Sequence, residues 1–183
     1  MRDPADAVAY AHDLDASDSS EWFNKCLYFV RTCYAVAGKY ASATDAYNHT
    51  TKRGTGSPLF GALHWWTGGG SGFGHVTIDC GGGYCYSSDF GPNGYVGDGR
   101  IRKVLVSSIS LHDPKLTYKG WSRDLNDVTV VPEIQVSYAI KNQAGAVVAS
   151  SASADWFDRL APYMKSEVRA HRFAGIWKIV TED

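Results

Sequence analysis

Apolar residues recur at helical spacing in two places near the start of the chain. Between residues 3 and 14, Ala5, Val8, Ala9 and Ala11 follow Pro4 at a first-turn position, which predicts a short helix. After a polar Asp/Ser stretch, Trp22, Cys26, Phe29, Val30, Cys33, Tyr34 and Ala37 repeat with the helical period, and Gly38 stands where a C-terminal cap belongs. Two starts fit this second helix: a capping box of Asp18 with Glu21, or a later start capped by Asn24. Residues 41–57 predict a short helix around Ala43, Ala46 and Tyr47, then a polar, glycine-bearing loop.

From Pro58 the period changes to that of strands. LFGALHWW, HVTID, YCYSSD and IRKVLVSSI are β-type runs separated by glycine clusters at Gly68–Gly70 and Gly81–Gly83. After a loop around Trp121, DLNDVTVV predicts one more strand. Helices first and antiparallel strands afterwards describe an α+β fold. Beyond Pro132 the style shifts again: VSYAI and AVVAS flank a turn at Asn142–Gly145, residues 155–168 read as helix interrupted by Pro162, and FAGIWKIV closes as a strand. The expected division is therefore 1–131 for a main domain and 132–183 for a small C-terminal α/β extension that packs on it or aids recognition.

Composition narrows the function classes. The 183 residues are 44% hydrophobic and 20% charged, enough for one core and too apolar for disorder. Eighteen basic against 19 acidic residues leave a net charge of −1, which argues against binding through a general nucleic-acid or anionic-membrane field. No run approaches a membrane span, and the acidic first 21 residues do not read as a signal peptide. Four cysteines are too few to staple a chain of this length, leaving core thiols, a metal site or a nucleophile. His75, Cys80 and Cys85 lack compact zinc spacing, and strand alternation sends His75 and Cys80 to opposite faces, so no metal or cofactor is expected. The glycine runs carry no phosphate-binding signature.

Cysteine chemistry remains. A thiol in the first turn of a helix is favoured as thiolate by the helix N-terminus, and a start at Asn24 puts Cys26 there. Taken alone, Cys26 reads better as a core thiol beside Phe29 and Cys33, since free cysteine is among the most buried residue types. His75 opens a strand in which His75, Thr77 and Asp79 share the face opposite Val76, Ile78 and Cys80, as a general base facing a cleft requires. If Gly81–Gly83 form a three-residue hairpin loop, Cys80 pairs with Tyr84, Ile78 with Tyr86, Thr77 with Ser87, and His75 falls opposite Asp89. Asp89 is then the residue that orients the imidazole and Ser87 a supporting partner. A two-residue loop would place Asp89 opposite Val76 instead.

The ordered set W22-x-x-x-C26-L-x-F29-V30-R31, P58-L-F-G61-A-L-H-W65-W66 and G74-H75-V76-T-I78-D-C-G81-G-G resembles the NlpC/P60 and CHAP group of papain-like cysteine hydrolases over roughly residues 20 to 130. Within that group it is most similar to the N-terminal peptidase-type module of endolysins from phages of actinobacteria. Lys25-Cys26-Leu27 stands where the group usually has Asp-Cys-Ser or Gln-Cys, and Ala62 where it often has Asp.

The resemblance implies a papain-like core with Cys26 as nucleophile and His75 as base. A polar third residue twelve positions after the histidine lands on Ser87. It further implies peptidoglycan as the partner, cleavage of a stem-peptide amide through a thioester, and a monomeric lysin held in the host cytoplasm until a holin releases it. Trp22, Trp65 and Trp66 are candidates to line the cleft, with ordinary aromatic core an equally good reading of them. The alternatives are an N-acetylmuramoyl-L-alanine amidase using the same residues, a secreted antibacterial effector of the same fold, and a non-enzymatic wall-binding or virion module.

Overall fold

The computed structural model describes residues 1–90, 96–132, 134–141, 147–151 and 175–182. Contacts divide the chain into two compact units, Met1–Val131 and Pro132–Asp183. The first is α+β. Helices α1 (Pro4–Ala16), α2 (Cys26–Tyr34) and α3 (Ala43–Asn48) precede an antiparallel sheet of β1 (Arg53–Gly54), β2 (Leu63–Gly68), β3 (His75–Gly81), β4 (Tyr84–Phe90), β5 (Val96–Leu105) and β6 (Leu116–Ser122). The strand order is β1-β6-β2-β3-β4-β5, with α4 (Val106–His112) between β5 and β6. A two-rung hairpin, β7 (Asp124–Leu125) and β8 (Val128–Thr129), follows. In the second unit, β9 (Ile134–Lys141) lies between β10 (Val147–Ser151) and β11 (Gly175–Glu182), both antiparallel to it. The expected turn at 142–145 and helix at 155–168 lie outside the described residues. No helix among the described residues is long and apolar enough to cross a membrane.

Local chemistry explains the helix limits. Asp3 caps α1 by accepting from the Asp6 amide at 2.8 Å, and Pro4 takes the first helical position. Helix α2 starts at Cys26, one residue after Lys25, so neither the Asp18–Glu21 box nor an Asn24 cap forms. Asn24 is left-handed at φ 56°, and Asp18 instead pairs with Arg100 and Arg102. The helix stops at Tyr34 rather than Ala37, because Ala35 turns left-handed and closes the Arg31 and Thr32 carbonyls. Arg2 completes that end, its guanidinium donating to Thr32 O and Cys33 O at 2.7 and 3.1 Å. Gly38 is thus no cap. A Cβ there would stand 1.8 Å from Arg31 Nη1, so the glycine makes room for a guanidinium.

The strand pattern needs three corrections. LTYKGWS is not a loop but β6, an inner strand paired with both β1 and β2. Its exposed Thr117, Tyr118 and Lys119 and its Gly120 hide the alternation. VSSISLH at the end of the fourth run is helical, as α4, with Ile109 inserted into the core. DLNDVTVV forms a tight hairpin turning through left-handed Asn126 and Asp127 and then delivers Val130 and Val131 to the main core.

The sheet is covered on both faces. Leu63, Trp65, Val76, Ile78, Tyr86 and Ile101 pack against α1 and α2 through Ala7, Ala11, Phe29 and Val30. On the other face, Trp66, Cys85, Phe90, Val104, Ile109 and Leu116 form a second cluster. His75, Thr77 and Asp79 do alternate with Val76 and Ile78. Their face, expected to be the non-core one, is itself buried.

Candidate active site

Five sequence-designated residues meet different fates here. Cys26 and His75 line one cleft of about 370 Å³, together with Asn24, Gly74, Asp89 and Phe90. Cys26 reaches it because α2 begins there, and His75 because β3 begins there, immediately after the turn that ends at Gly74. The two termini abut: the Cys26 thiol meets the backbone N–H of Val76, the residue next to His75. It also meets the N–H groups of Leu27 and Cys26 itself, the free donors of a helix start.

Burial dominates the ionisation of both groups. It pushes the Cys26 thiol up to about 11, outweighing the three N–H contacts, and the Asp89 charge acts in the same direction. The same cause lowers His75 to about 3. The imidazole is 5% exposed and packed between Phe90 and Trp66, with ring centroids 4.8 and 5.9 Å away. Both shifts favour the neutral form, a thiol at Cys26 and an unprotonated imidazole at His75.

The partner of His75 is Ser87. Its Oγ lies 2.7 Å from His75 Nε2 and donates its own proton to Ser88 O at 3.0 Å. A hydroxyl whose single hydrogen is committed to a carbonyl offers only lone pairs, so it accepts from Nε2–H. That bond assigns the proton to Nε2 and leaves Nδ1 as the unprotonated, basic nitrogen.

Asp89 does not perform the expected role. The β3–β4 register is the one expected near the turn, with Ile78 opposite Tyr86, but it is reached differently. The loop is Gly82–Gly83, Gly81 pairs with Tyr84, and Cys80 bulges out of the ladder where Asp79 accepts from the Gly81 amide at 2.9 Å. At the far end Asp89 is left-handed at φ 65°, and the β4–β5 register shifts between Ser88 and Phe90. This twist turns the carboxylate away from the imidazole. It accepts from Asn24 N at 2.7 Å and from Gly99 N at 3.2 Å, clamping the residues ahead of Cys26 to β5. Burial raises Asp89 to about 6, with the two amide bonds pulling the other way.

The tryptophans are core rather than cleft. Trp22 is buried, stacked on Tyr28 and edge-on to Phe29. Trp65 and Trp66 are fully buried and donate to Ser122 Oγ and Ser110 Oγ at 2.8 and 2.9 Å. The exposed aromatics of the cleft are Phe23, Tyr28 and Phe73. The signal for Phe23 and Phe73 was their place beside the glycine-rich and helix-start segments, where an apolar core residue is not needed.

His64, assigned no role from sequence, joins a buried network. Its Nε2 lies 3.0 Å from Asp79 Oδ2 and its Nδ1 2.8 Å from Tyr118 Oη, tying β2, β3 and β6 behind His75. Cys33 and Cys85 are buried in the two cores, and burial pushes Cys85 up to about 12. Comparison of the chain with protein-family models and with curated proteins found no match to either.

Proposed function

We propose that this chain is a papain-like cysteine hydrolase of the NlpC/P60–CHAP type, an endolysin that cuts an amide bond in the stem peptide of bacterial peptidoglycan. The observation that carries the reading is the meeting of Cys26, first residue of α2, with His75, first residue of β3, in one cleft with Nε2 held by Ser87. A nucleophile on a helix start, a base on an adjoining antiparallel strand and a polar group behind the base supply the three roles of acyl transfer. The resemblance in motif order supplies the substrate.

The chemistry follows from the neutral resting pair. As Cys26 Sγ bonds to the amide carbon, His75 Nδ1 takes the thiol proton, so charge separation is confined to the step that uses it. The Cys26 backbone N–H, at the first position of α2, is placed to donate to the carbonyl oxygen as it becomes an oxyanion. The imidazolium returns the proton to the leaving amine, which departs and leaves a thioester. Water then attacks the thioester, giving its proton to Nδ1, and the thiol is restored as the acid leaves.

The test is wall lysis by purified protein. Cys26→Ala is expected to abolish loss of turbidity in a cell-wall suspension. Mass spectrometry of a wild-type digest should show one new amine and one new carboxyl terminus within the stem peptide. Clearing by Cys26→Ala at the wild-type rate would remove the proposal.

A further inference from the structure

The cleft holds one guanidinium whose chemistry the hydrolytic cycle leaves unused. Arg31 lies on α2, five residues beyond Cys26 and thus about 7.5 Å further along the helix axis, and it lines the same cleft. Lys25 also lines the cleft, but as an exposed ammonium on a flexible stem and not as a fixed planar fork; further off, Arg100 and Arg102 pair with Asp15, Asp18 and Asp98, and Lys39 with Asp127. The Arg31 side chain has no ion pair or hydrogen bond among the described residues, and its Nε is buried with no acceptor. A buried N–H without a partner is destabilising, so the vacant Arg31 donors, at the edge of a cleft, favour a ligand that brings an acceptor.

Two neighbours hold the group in place. The half-exposed Tyr28 ring faces it, with the guanidinium carbon 5.3 Å from the ring centroid. Gly38 lies against the guanidinium, where any Cβ would overlap Nη1. The fork is therefore positioned before a ligand arrives.

We infer that Arg31 is a specificity-determining residue that binds a carboxylate of the substrate peptide, so that the cleft selects acidic over amidated peptides. The inference rests on the hydrolase reading for the identity of the peptide. A planar fork with no hydrogen bond on its nitrogens matches one carboxylate through two parallel bonds. Phosphate fits less well, because Asp113 and Asp89 also line the cleft and would repel a multiply charged anion. The carboxylate has two possible sources in a stem peptide, a free carboxyl on an interior residue or the C-terminal carboxylate, and both present the same group.

Binding of synthetic stem peptides to the full-length Cys26→Ala protein, followed by calorimetry, tests the inference without requiring turnover. Four peptides are needed: both carboxylates free, only the interior one amidated, only the terminal one amidated, and both amidated. Amidating the recognised carboxylate should weaken binding roughly ten- to a hundred-fold, and the affected member of the set names its source. Adding Arg31→Gln should erase that difference while leaving the doubly amidated peptide bound as before. Adding Gly38→Ala, which keeps the charge and merely displaces the fork, should erase it too, and circular dichroism should show the fold retained.

Equal binding of all four peptides, or a preference that survives Arg31→Gln, would overturn the inference. So would displacement of the peptide by inorganic phosphate at lower concentration than by acetate. The hydrolase reading fails separately: the wild-type protein would then bind acidic peptides through Arg31 yet leave peptides and walls uncut.

Discussion

At the scale of single residues, His75 makes the strongest claim on the energetics. Its imidazole is unprotonated in the fold down to about pH 3, whereas an exposed histidine takes a proton near 6.5. Between those values the unfolded chain binds the extra proton, so this contribution to stability is intact above about 6.5 and is lost as pH falls toward 3. Asp89 runs the opposite way. Its pKa is raised to about 6, so the fold holds that proton more tightly, and its contribution is present below about 4 and lost as pH rises to 6. Urea midpoints of wild type and His75→Asn measured from pH 7 to 4 separate the two. The wild type should lose up to about 1.4 kcal/mol per pH unit more than the variant across that range. Parallel curves would mean that the imidazole is not desolvated.

Ser87 carries the second residue-scale prediction. Ser87→Ala strands a buried Nε2–H and frees the ring to choose its tautomer, a loss of about 1–3 kcal/mol. If His75 is the base, stem-peptide hydrolysis should fall roughly five- to a hundred-fold, chiefly in kcat. Asp89→Asn should act differently, loosening the Asn24 segment without touching the ring. An unchanged rate for Ser87→Ala would show that the tautomer is set by another group.

At the scale of elements, the site depends on how one turn enters β3. Gly74 is left-handed at φ 72°, and a Cβ on it would stand 2.4 Å from Trp66 O and 2.5 Å from Thr44 Oγ1. This glycine lets α3, β2 and the start of β3 converge on the residue before His75. Gly74→Ala should destabilise the protein by about 2–5 kcal/mol, the sum of backbone strain and overpacking. Gly72→Ala, at a similar φ but in open space, should show only the backbone part, about 1–2 kcal/mol. Thermal unfolding of the two variants side by side checks the distinction.

The first three helices and the hairpin register near its turn were legible because each is written in local terms: Pro4 in a first turn, a period of apolar positions along α2, and a glycine turn between two alternating runs. What escaped depended on distant partners. The end of α2, where Ala35 turns left-handed, is completed by the distant Arg2, and the inner strand β6 is recognisable only through its pairing with β2, since four of its seven residues are polar or glycine. Asp89 was misjudged for a similar reason. Its turn out of the strand is imposed by the amides of Asn24 and Gly99, and alternation presumes a strand that continues straight.

At the scale of the whole molecule, the first unit contains every residue of the candidate site and both cores. Val130 and Val131 belong to the larger of them, while the unit ends there. A chain ending at Val131 should unfold in one cooperative transition by circular dichroism. Ending it at Asp127 removes two buried valines and should lower stability by about 3 kcal/mol or more. If the longer fragment shows no cooperative transition, residues 132–183 are part of what folds the first unit.

The bulge at Cys80 has a consequence for heredity. In the β3–β4 hairpin the number of residues between His75 and Ser87 decides whether the two side chains emerge on one side of the sheet. An in-frame loss of a single glycine codon from Gly81–Gly83 would leave every site residue unaltered in the gene. Unless the bulge disappeared in compensation, it would still send Ser87 to the opposite side and leave the imidazole without its partner. The spacing of the turn is thus as heritable a part of the site as the cysteine and histidine themselves.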